Sequence, residues 1–211
     1  MKSDYFSTIE EFREFQPARV LILCSLKEIL PTKGNRFGFI ISIILAAGFA
    51  TLVGCSINTM ELLSRIAGIM LNVQLAIFGC VFAVYSILLA FLSDGYMKRL
   101  AKIRENDSTS FLKQSTTYYE SVLFLYFINI GLTSVVNILT ECLNPVFGLK
   151  TYFAFDTRYA ILFLFVYFAF SFRIFYELKS TIFNTLVLFR ASIAYRFIDY
   201  FKEDDQNDIK N

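Results

Sequence analysis

The residues best able to do chemistry in this sequence are polar side chains inside long apolar runs. Asn129, Thr133 and Asn137 are spaced four apart, so they share one face of a helix. Asn72 stands in an earlier apolar run. Because amides in hydrocarbon need hydrogen-bond partners, these residues predict either bonds between helices or a polar lining for a conduction path. We favour bonds between helices, because no charge accompanies them.

Catalytic and metal-binding chemistry lacks its usual residues here. The sequence contains no histidine, so the commonest general base and metal ligand is missing. The apolar runs hold no Asp or Glu for a proton relay, and no glycine-rich phosphate loop occurs. A net charge of +2 gives no basic field for nucleic acid. We therefore predict a protein that is not an enzyme, has no cofactor or metal and binds no nucleic acid directly.

The cysteines follow no metal or redox spacing. They are Cys24, Cys55, Cys80 and Cys142. Cys55 and Cys142 are both expected near the outer membrane surface, so one disulfide there is an alternative to free thiols. We favour free, buried thiols for all four.

Four apolar runs position these polar residues. The sequence is 56% hydrophobic and 18% charged, against about 25% charged in a soluble domain, and its mean hydropathy is +0.54. A helix needs about 20 apolar residues to cross a bilayer. We predict an all-α, polytopic membrane protein whose four transmembrane helices, together spanning 37–172, lie at about 37–57, 66–92, 121–139 and 159–172.

Basic residues predict the orientation of the chain. Of the 20 Lys and Arg residues, 17 lie before the first run, between the second and third runs, or after the fourth run. Lys and Arg accumulate in cytoplasmic loops, so both termini are expected in the cytoplasm. The acidic N-terminal segment lacks the apolar stretch of a signal peptide, so we expect the first span to be retained.

Small residues recur along one line of two predicted helices. The first-helix stripe consists of Ala46, Ala50 and Gly54. The second-helix stripe consists of Ala76, Gly79, Ala83, Ser86 and Ala90. Because lipid tails are as apolar as leucine, close backbone approach drives helices together in a membrane. We expect one stripe to pack inside the chain and the other to lie between subunits, without knowing which is which.

Segments outside the spans are also predicted to be helical. Residues 1–36 form cytoplasmic or interfacial helices, since capping-box patterns there precede a short apolar edge. Residues 173–202 continue from the fourth span without Gly or Pro, and Arg173 and Glu177 mark the exit from the bilayer. This segment either extends into the cytoplasm as a rod or lies along the membrane. Residues 203–211 are expected to form a flexible acidic tail.

The cytoplasmic segments carry candidate contacts with a soluble partner. The apolar contacts are Phe12, Phe15, Phe189, Phe197, Tyr200 and Phe201. The polar rim consists of Glu10, Glu11, Arg13, Glu203 and Asp204. Aromatic residues surrounded by charge are typical of protein interfaces. The alternative is that the same residues contact other copies of the chain.

The N-terminal stretch EEFREFQPAR, the length and the aromatic-rich spans resemble the membrane subunit of the two-protein Kiwa anti-phage defence system. The resemblance covers the whole chain at the level of architecture, and no individual functional residue is transferred through it. It implies a homo-oligomeric, tetrameric sensor of phage attachment in the cell inner membrane. It also implies that the cytoplasmic helices dock a soluble, DNA-binding effector subunit.

The residues alone favour two functions. The first is an oligomeric sensor or scaffold that recruits a cytoplasmic effector, indicated by the cytoplasmic helices, the small-residue stripes and the missing catalytic groups. The second is an ion channel or holin-like pore, with Asn72, Asn129, Thr133 and Asn137 facing its lumen. A small-solute transporter is least supported, since the sequence has no internal repeat or broken helix.

Overall fold

Four long helices make up most of the described chain. A computed structural model describes residues 22–23, 25–26, 29–30, 36–91, 104–105, 109–142 and 157–208. The helices are α1 (Arg36–Gly54), α2 (Thr59–Phe91), α3 (Phe111–Cys142) and α4 (Thr157–Asp208). Each is long and apolar enough to cross a membrane, which confirms the predicted fold class. The orientation of the helices across the membrane stays a prediction.

A short hairpin precedes α3. Strand β1 (Arg104–Glu105) pairs antiparallel with β2 (Thr109–Ser110), with Arg104 opposite Ser110. Ser110 then caps α3, since its Oγ accepts a hydrogen bond from the Lys113 backbone N–H at 3.3 Å, as an N-cap serine does. The helix therefore begins ten residues before the predicted apolar run at 121, because the cap and not the apolar pattern sets its start.

The start of α2 also precedes its predicted apolar run. Its first turn contains Glu61, whose negative charge stabilises the positive N-terminal end of the helix dipole. The Leu62 N–H also donates a hydrogen bond to the Asn58 carbonyl at 3.0 Å. Residues 55–58 form the turn from α1. We call the end of the bundle with this turn the turn end, and the opposite end the tail end.

The last helix is a single element of 52 residues. At about 1.5 Å per residue it is roughly 78 Å long, against about 30 Å for the hydrocarbon core of a bilayer. No Gly or Pro occurs in it, and the helix runs unbroken from the fourth span to Asp208. Residues 203–208, expected in a flexible tail, continue it.

Neighbouring helices run antiparallel. Helix α1 packs along α4, and α2 packs along α3. Helix α3 joins the two pairs through hydrogen bonds to α4, since Tyr119 lies 2.9 Å from Thr185 at the tail end and Thr133 lies 3.2 Å from Tyr167 farther along. The pairing of α2 with α3 is marked by a hydrogen bond from Ser64 to Glu141.

Two apolar clusters fill the bundle. The cluster nearer the turn end joins all four helices and consists of Ala46, Ala50, Val53, Leu63, Ala67, Met70, Val136, Leu164, Tyr167 and Phe168. The cluster nearer the tail end joins α2, α3 and α4 and consists of Val81, Val122, Leu125, Tyr126 and Ile174. Of the predicted polar residues, Asn129 and Thr133 are buried with these clusters in the interior of the bundle.

Candidate functional site

The first-helix stripe packs inside the chain. Ala46 and Ala50 are fully buried in the cluster nearer the turn end. A Cβ on Gly54 would overlap the Ile161 side chain of α4, so only glycine permits this approach of the two backbones. The buried row is longer than the predicted stripe, and its members are Gly38, Ser42, Ala46, Ala50 and Gly54.

The second-helix stripe faces away from the chain. Ala76, Gly79, Ala83, Ser86 and Ala90 are all exposed, and a Cβ on Gly79 would meet no atom within 4 Å. The opposite side of α2 carries the buried bulky residues, which are Leu63, Met70, Val81 and Leu88. Helix α2 therefore packs on its own chain through large side chains and keeps its narrow side outward.

A polar core crosses the middle of the bundle in two layers. The first layer lies nearer the turn end. There, the Tyr167 hydroxyl of α4 lies 3.2 Å from Thr133 Oγ1 of α3 and 3.8 Å from Met70 Sδ of α2, and it can donate to either. All three side chains are buried. This layer holds three helices together through one hydroxyl group.

The second layer lies one helical turn nearer the tail end. Ser171 Oγ of α4 donates to Asn129 Oδ1 of α3 at 2.9 Å, and both residues are fully buried. Bonds of this kind between membrane helices contribute about 0.6 to 2 kcal/mol each. Asn129 and Thr133, predicted to bond helices to each other, thus each take part in a hydrogen bond between α3 and α4.

Gln74 of α2 belongs to the same second layer. Near the turn end, a Cβ on Gly68 would lie 4.0 Å from Asn137 Oδ1. Because α2 and α3 are antiparallel, Gln74, six residues after Gly68, lies level with Gly131, six residues before Asn137. Gln74 therefore lies within two residues of the level of Asn129 along the paired helices. The Gln74 side chain is fully buried.

The second layer leaves three buried polar atoms without a hydrogen-bond partner. They are Gln74 Nε2, Gln74 Oε1 and Asn129 Nδ2, and no other side-chain atoms in the described part of the chain share this condition. An unsatisfied buried polar group costs about 1–3 kcal/mol. A bridging water or a direct bond between the two amides would satisfy them.

The four polar residues predicted to act together are divided by the fold. Asn129 and Thr133 lie in the polar core. Asn137 is half-buried nearer the turn end. Asn72 is exposed, because it is two residues from the buried Gln74 and so points to the other side of α2. The set does not line one surface within the chain.

Gln74, Tyr167 and Ser171 are not predicted by the pattern of asparagine and threonine in the spans. The spacing of two of them nevertheless carries a signal. Tyr167 and Ser171 are four apart on α4, as Asn129 and Thr133 are on α3. A pair with this spacing on each of two spans predicts two stacked layers, since residues four apart lie one turn apart on one face.

Two charges are buried toward the tail end. Arg173 Nη1 lies 2.7 Å from Glu177 Oε2, and the side chains are 2% and 8% exposed. Arg173 Nε also donates to the Ile29 carbonyl at 3.0 Å. Arg173, expected with Glu177 to mark the bilayer exit, is therefore buried and ties Ile29 to α4. Opposite charges four apart on a helix were the available signal.

The cysteines are free thiols in the described part of the chain. Cys55, Cys80 and Cys142 are all unbridged and exposed, so the prediction of buried thiols is wrong for these three. Cys80 and Cys142 lie on the outer sides of α2 and α3, because the cluster residues occupy the inner sides, and Cys55 lies in the turn between α1 and α2. Cys24 lies outside the described residues. Within the described ranges, no three His, Cys, Asp or Glu side chains gather as a metal site would need.

The predicted partner contacts fall in two places. Glu10, Glu11, Phe12, Arg13 and Phe15 lie outside the described residues. Phe189, Phe197 and Tyr200 lie on α4 and are exposed. Phe201, Glu203 and Asp204 belong to the same helix by their backbone. Exposed aromatic side chains thus lie along the later turns of α4.

These features define the class of the protein as a helical membrane protein with four spanning helices. Comparison of the chain with protein-family models, with curated proteins and with solved structures finds no match. The particular function is therefore inferred from the residues of the chain itself.

Proposed function

We propose that the chain is one subunit of an oligomeric membrane scaffold that recruits a soluble effector protein in the cytoplasm. The observation that carries this proposal is the outward second-helix stripe. Close helix approach in a membrane needs small residues, and this stripe has no counterpart within its own described chain. A second copy of the chain would supply one.

The arrangement of the polar core supports a scaffold over a pore. Thr133 bonds inward to Tyr167, and Asn129 bonds inward to Ser171. Each bond joins two helices of the same chain. Groups that line a conduction path instead need a free side facing the lumen, and here the side chains are buried between helices.

An ion channel or holin-like pore is the second candidate. The observation that favours it is the unpaired state of Gln74 and of Asn129 Nδ2 in the second layer. Water entering there would begin a polar path through the bundle. Asn72 would have to contribute from another copy, because it faces outward from α2.

The resemblance to the Kiwa membrane subunit provides the proposed biological setting. In that setting the protein is a tetrameric sensor of phage attachment in the bacterial inner membrane, and both termini lie in the cytoplasm. The concentration of Lys and Arg in three segments of the sequence supports this orientation. Recruitment of a cytoplasmic effector would then link the membrane event to a soluble activity.

The end of α4 and the N-terminal segment are the proposed effector contacts. Helix α4 is much longer than the membrane is thick, so its last turns reach well beyond the bundle. Phe201, Glu203 and Asp204 combine aromatic and acidic groups there. Phe12 and Phe15 combine with acidic neighbours in a similar way. Such aromatic contacts with a polar rim are typical of protein interfaces.

Co-purification from mild detergent tests the proposal. We expect the full chain to carry a soluble protein at a fixed ratio, and deletion of residues 201–211 or replacement of both Phe12 and Phe15 by Ala to release it. Replacement of Ala191 by Ser, on the exposed face of α4, is the matched control. An oligomer without a soluble partner that leaks ions in liposomes would contradict the scaffold and support the pore.

A flux assay distinguishes the two candidates directly. Replacement of Asn72, Asn129 and Asn137 by Leu removes the amides that a pore would use. A pore is expected to lose or change its conductance in liposomes. A scaffold is expected to change in thermal stability alone, because the change at Asn129 removes the acceptor of the Ser171 hydrogen bond.

A further inference from the structure

The apolar residues along α4 repeat every 11 positions. The row consists of Phe175, Leu178, Ile182, Leu186, Phe189, Ile193, Phe197 and Tyr200. Its steps are three, four and four, so Phe175, Leu186 and Phe197 occupy equivalent positions. An 11-residue repeat corresponds to about 3.67 residues per turn, slightly more than the 3.6 of a straight helix. The row therefore follows one side of α4 with only a slow drift.

The row begins in the core of the chain and continues outside it. Phe175 and Leu178 pack against the two apolar clusters. Farther along, Ile182, Ile193 and Phe197 are 52%, 42% and 60% exposed. The same pattern thus serves internal packing in its first turn, whereas Ile182, Ile193 and Phe197 of the following turns are exposed.

The row meets the second-helix stripe at a groove. This groove, about 430 Å³ in volume, is lined by Ala76 and Cys80 of α2 and by Leu178, Ile182 and Leu186 of α4, among others. Ala76 is the first residue of the second-helix stripe. A helix following the row would therefore pass along the small side of α2, where close approach is possible.

We propose that the 11-residue row of α4 is a self-association surface, along which the α4 helices of neighbouring copies pack in parallel with a right-handed twist. An 11-residue repeat favours a right-handed supercoil, whereas a seven-residue repeat favours a left-handed one. The inference deepens the proposed function, on which it rests for assembly from identical copies. It assigns Phe189, Phe197 and Tyr200 to contacts between copies and leaves effector binding to the last turns of α4 and the N-terminal segment.

A second copy of the chain is the occupant that the repeat selects. Copies inserted in one bilayer with one orientation present their α4 helices in parallel and in register. Each residue of the row then meets its equivalent, as in a coiled coil. Lys179 and Arg190, also 11 apart, lie beside the row and not in it. Contact with lipid tails would not require an 11-residue period. The row is also about 38 Å long, which exceeds the thickness of the hydrocarbon core, about 30 Å.

Cysteine cross-linking in the membranes of expressing cells tests the proposal with the full chain. The four native cysteines are replaced by Ser, and single cysteines are introduced as Ile193→Cys and Phe197→Cys in the row. Ala191→Cys is the matched control, because Ala191 is exposed and lies on nearly the opposite side of α4. Mild oxidation is expected to give several-fold more homodimer from Ile193→Cys and Phe197→Cys than from Ala191→Cys.

The variant Arg196→Cys tests the period. A seven-residue repeat continued from Phe189 and Ile193 would place position 196 in the seam, whereas the 11-residue repeat places position 197 there. We expect Phe197→Cys to cross-link better than Arg196→Cys. The reverse order would overturn the right-handed arrangement.

Two other outcomes would overturn self-association along the row. One is equal homodimer from Ile193→Cys and Ala191→Cys, with both chains inserted and equally stable to heat. The other is cross-linking of Ile193→Cys to a different protein in place of a second copy. Failure of the proposed function is a separate result, since homodimer from the row with no soluble protein in co-purification would support self-association and count against effector recruitment.

Discussion

Gln74 and Asn129 determine how well the polar core of the bundle is satisfied. Both are fully buried, and the only hydrogen bond described for the two side chains is the one that Asn129 accepts from Ser171. Asn129 was predictable as a bonding residue, because an amide in a membrane span needs a partner. The burial of Gln74 was not, because it depends on which side of α2 meets α3.

Replacement of Gln74 by Met is expected to stabilise the protein. Met has a similar length without polar atoms, so the cost of the unpaired amide is removed and the free energy of unfolding rises by about 1–2 kcal/mol. Asn129→Leu is expected to lower it, because Ser171 loses its acceptor. Thermal unfolding of both variants in one detergent measures the difference. Destabilisation by Gln74→Met would show that the Gln74 amide is bonded in the membrane.

The Arg173–Glu177 pair is expected to show strong coupling. Arg173→Met leaves the Glu177 carboxylate buried without its guanidinium partner, and removal of one partner of a buried pair typically costs about 3–5 kcal/mol. The double variant Arg173→Met with Glu177→Gln should recover much of this loss. A double-mutant cycle by thermal unfolding measures the coupling. Strict additivity of the two single changes would contradict the described pair.

The two small-residue stripes show what can and cannot be predicted for an element. The spacing of Ala46, Ala50 and Gly54 predicts a packing face, and the same reasoning applies to Ala76 and Gly79. The patterns look alike in the sequence. The difference lies in the partner, because Ile161 of α4 lies against Gly54, and that contact joins residues far apart in the chain.

Leucine is expected to change a different property at each stripe, namely the stability of the chain at the first-helix stripe and the fraction of oligomer at the second-helix stripe. Gly54→Leu should destabilise the chain by about 1–3 kcal/mol through overpacking against Ile161. Gly79→Leu should leave thermal stability nearly unchanged and lower the fraction of oligomer, because a Cβ there meets no atom of its own described chain and the proposed neighbour is another copy. Gly48→Leu is the control, since a Cβ there also meets nothing within 4 Å. Unfolding and sizing in detergent measure both effects, and an intact oligomer with Gly79→Leu would count against the second-helix stripe as a subunit contact.

The architecture of the whole molecule was the most predictable feature. Four apolar runs required four spanning helices, because only helices satisfy the backbone in the bilayer without a closed barrel. The helix ends were less predictable. The starts of α2 and α3 depend on first-turn polar groups such as Glu61 and on the Ser110 cap, outside the apolar runs. Helix α4 runs unbroken from Thr157 to Asp208, and its placement as a rod in the cytoplasm or along the membrane stays a prediction.

The mass of the intact assembly tests the central claim most directly. We would release the full chain from its native membrane in mild detergent and measure the mass of the complex by native mass spectrometry. The scaffold proposal predicts several copies of the chain together with a soluble protein in a fixed ratio. A single copy of the chain, or an oligomer that carries no soluble protein, would contradict it.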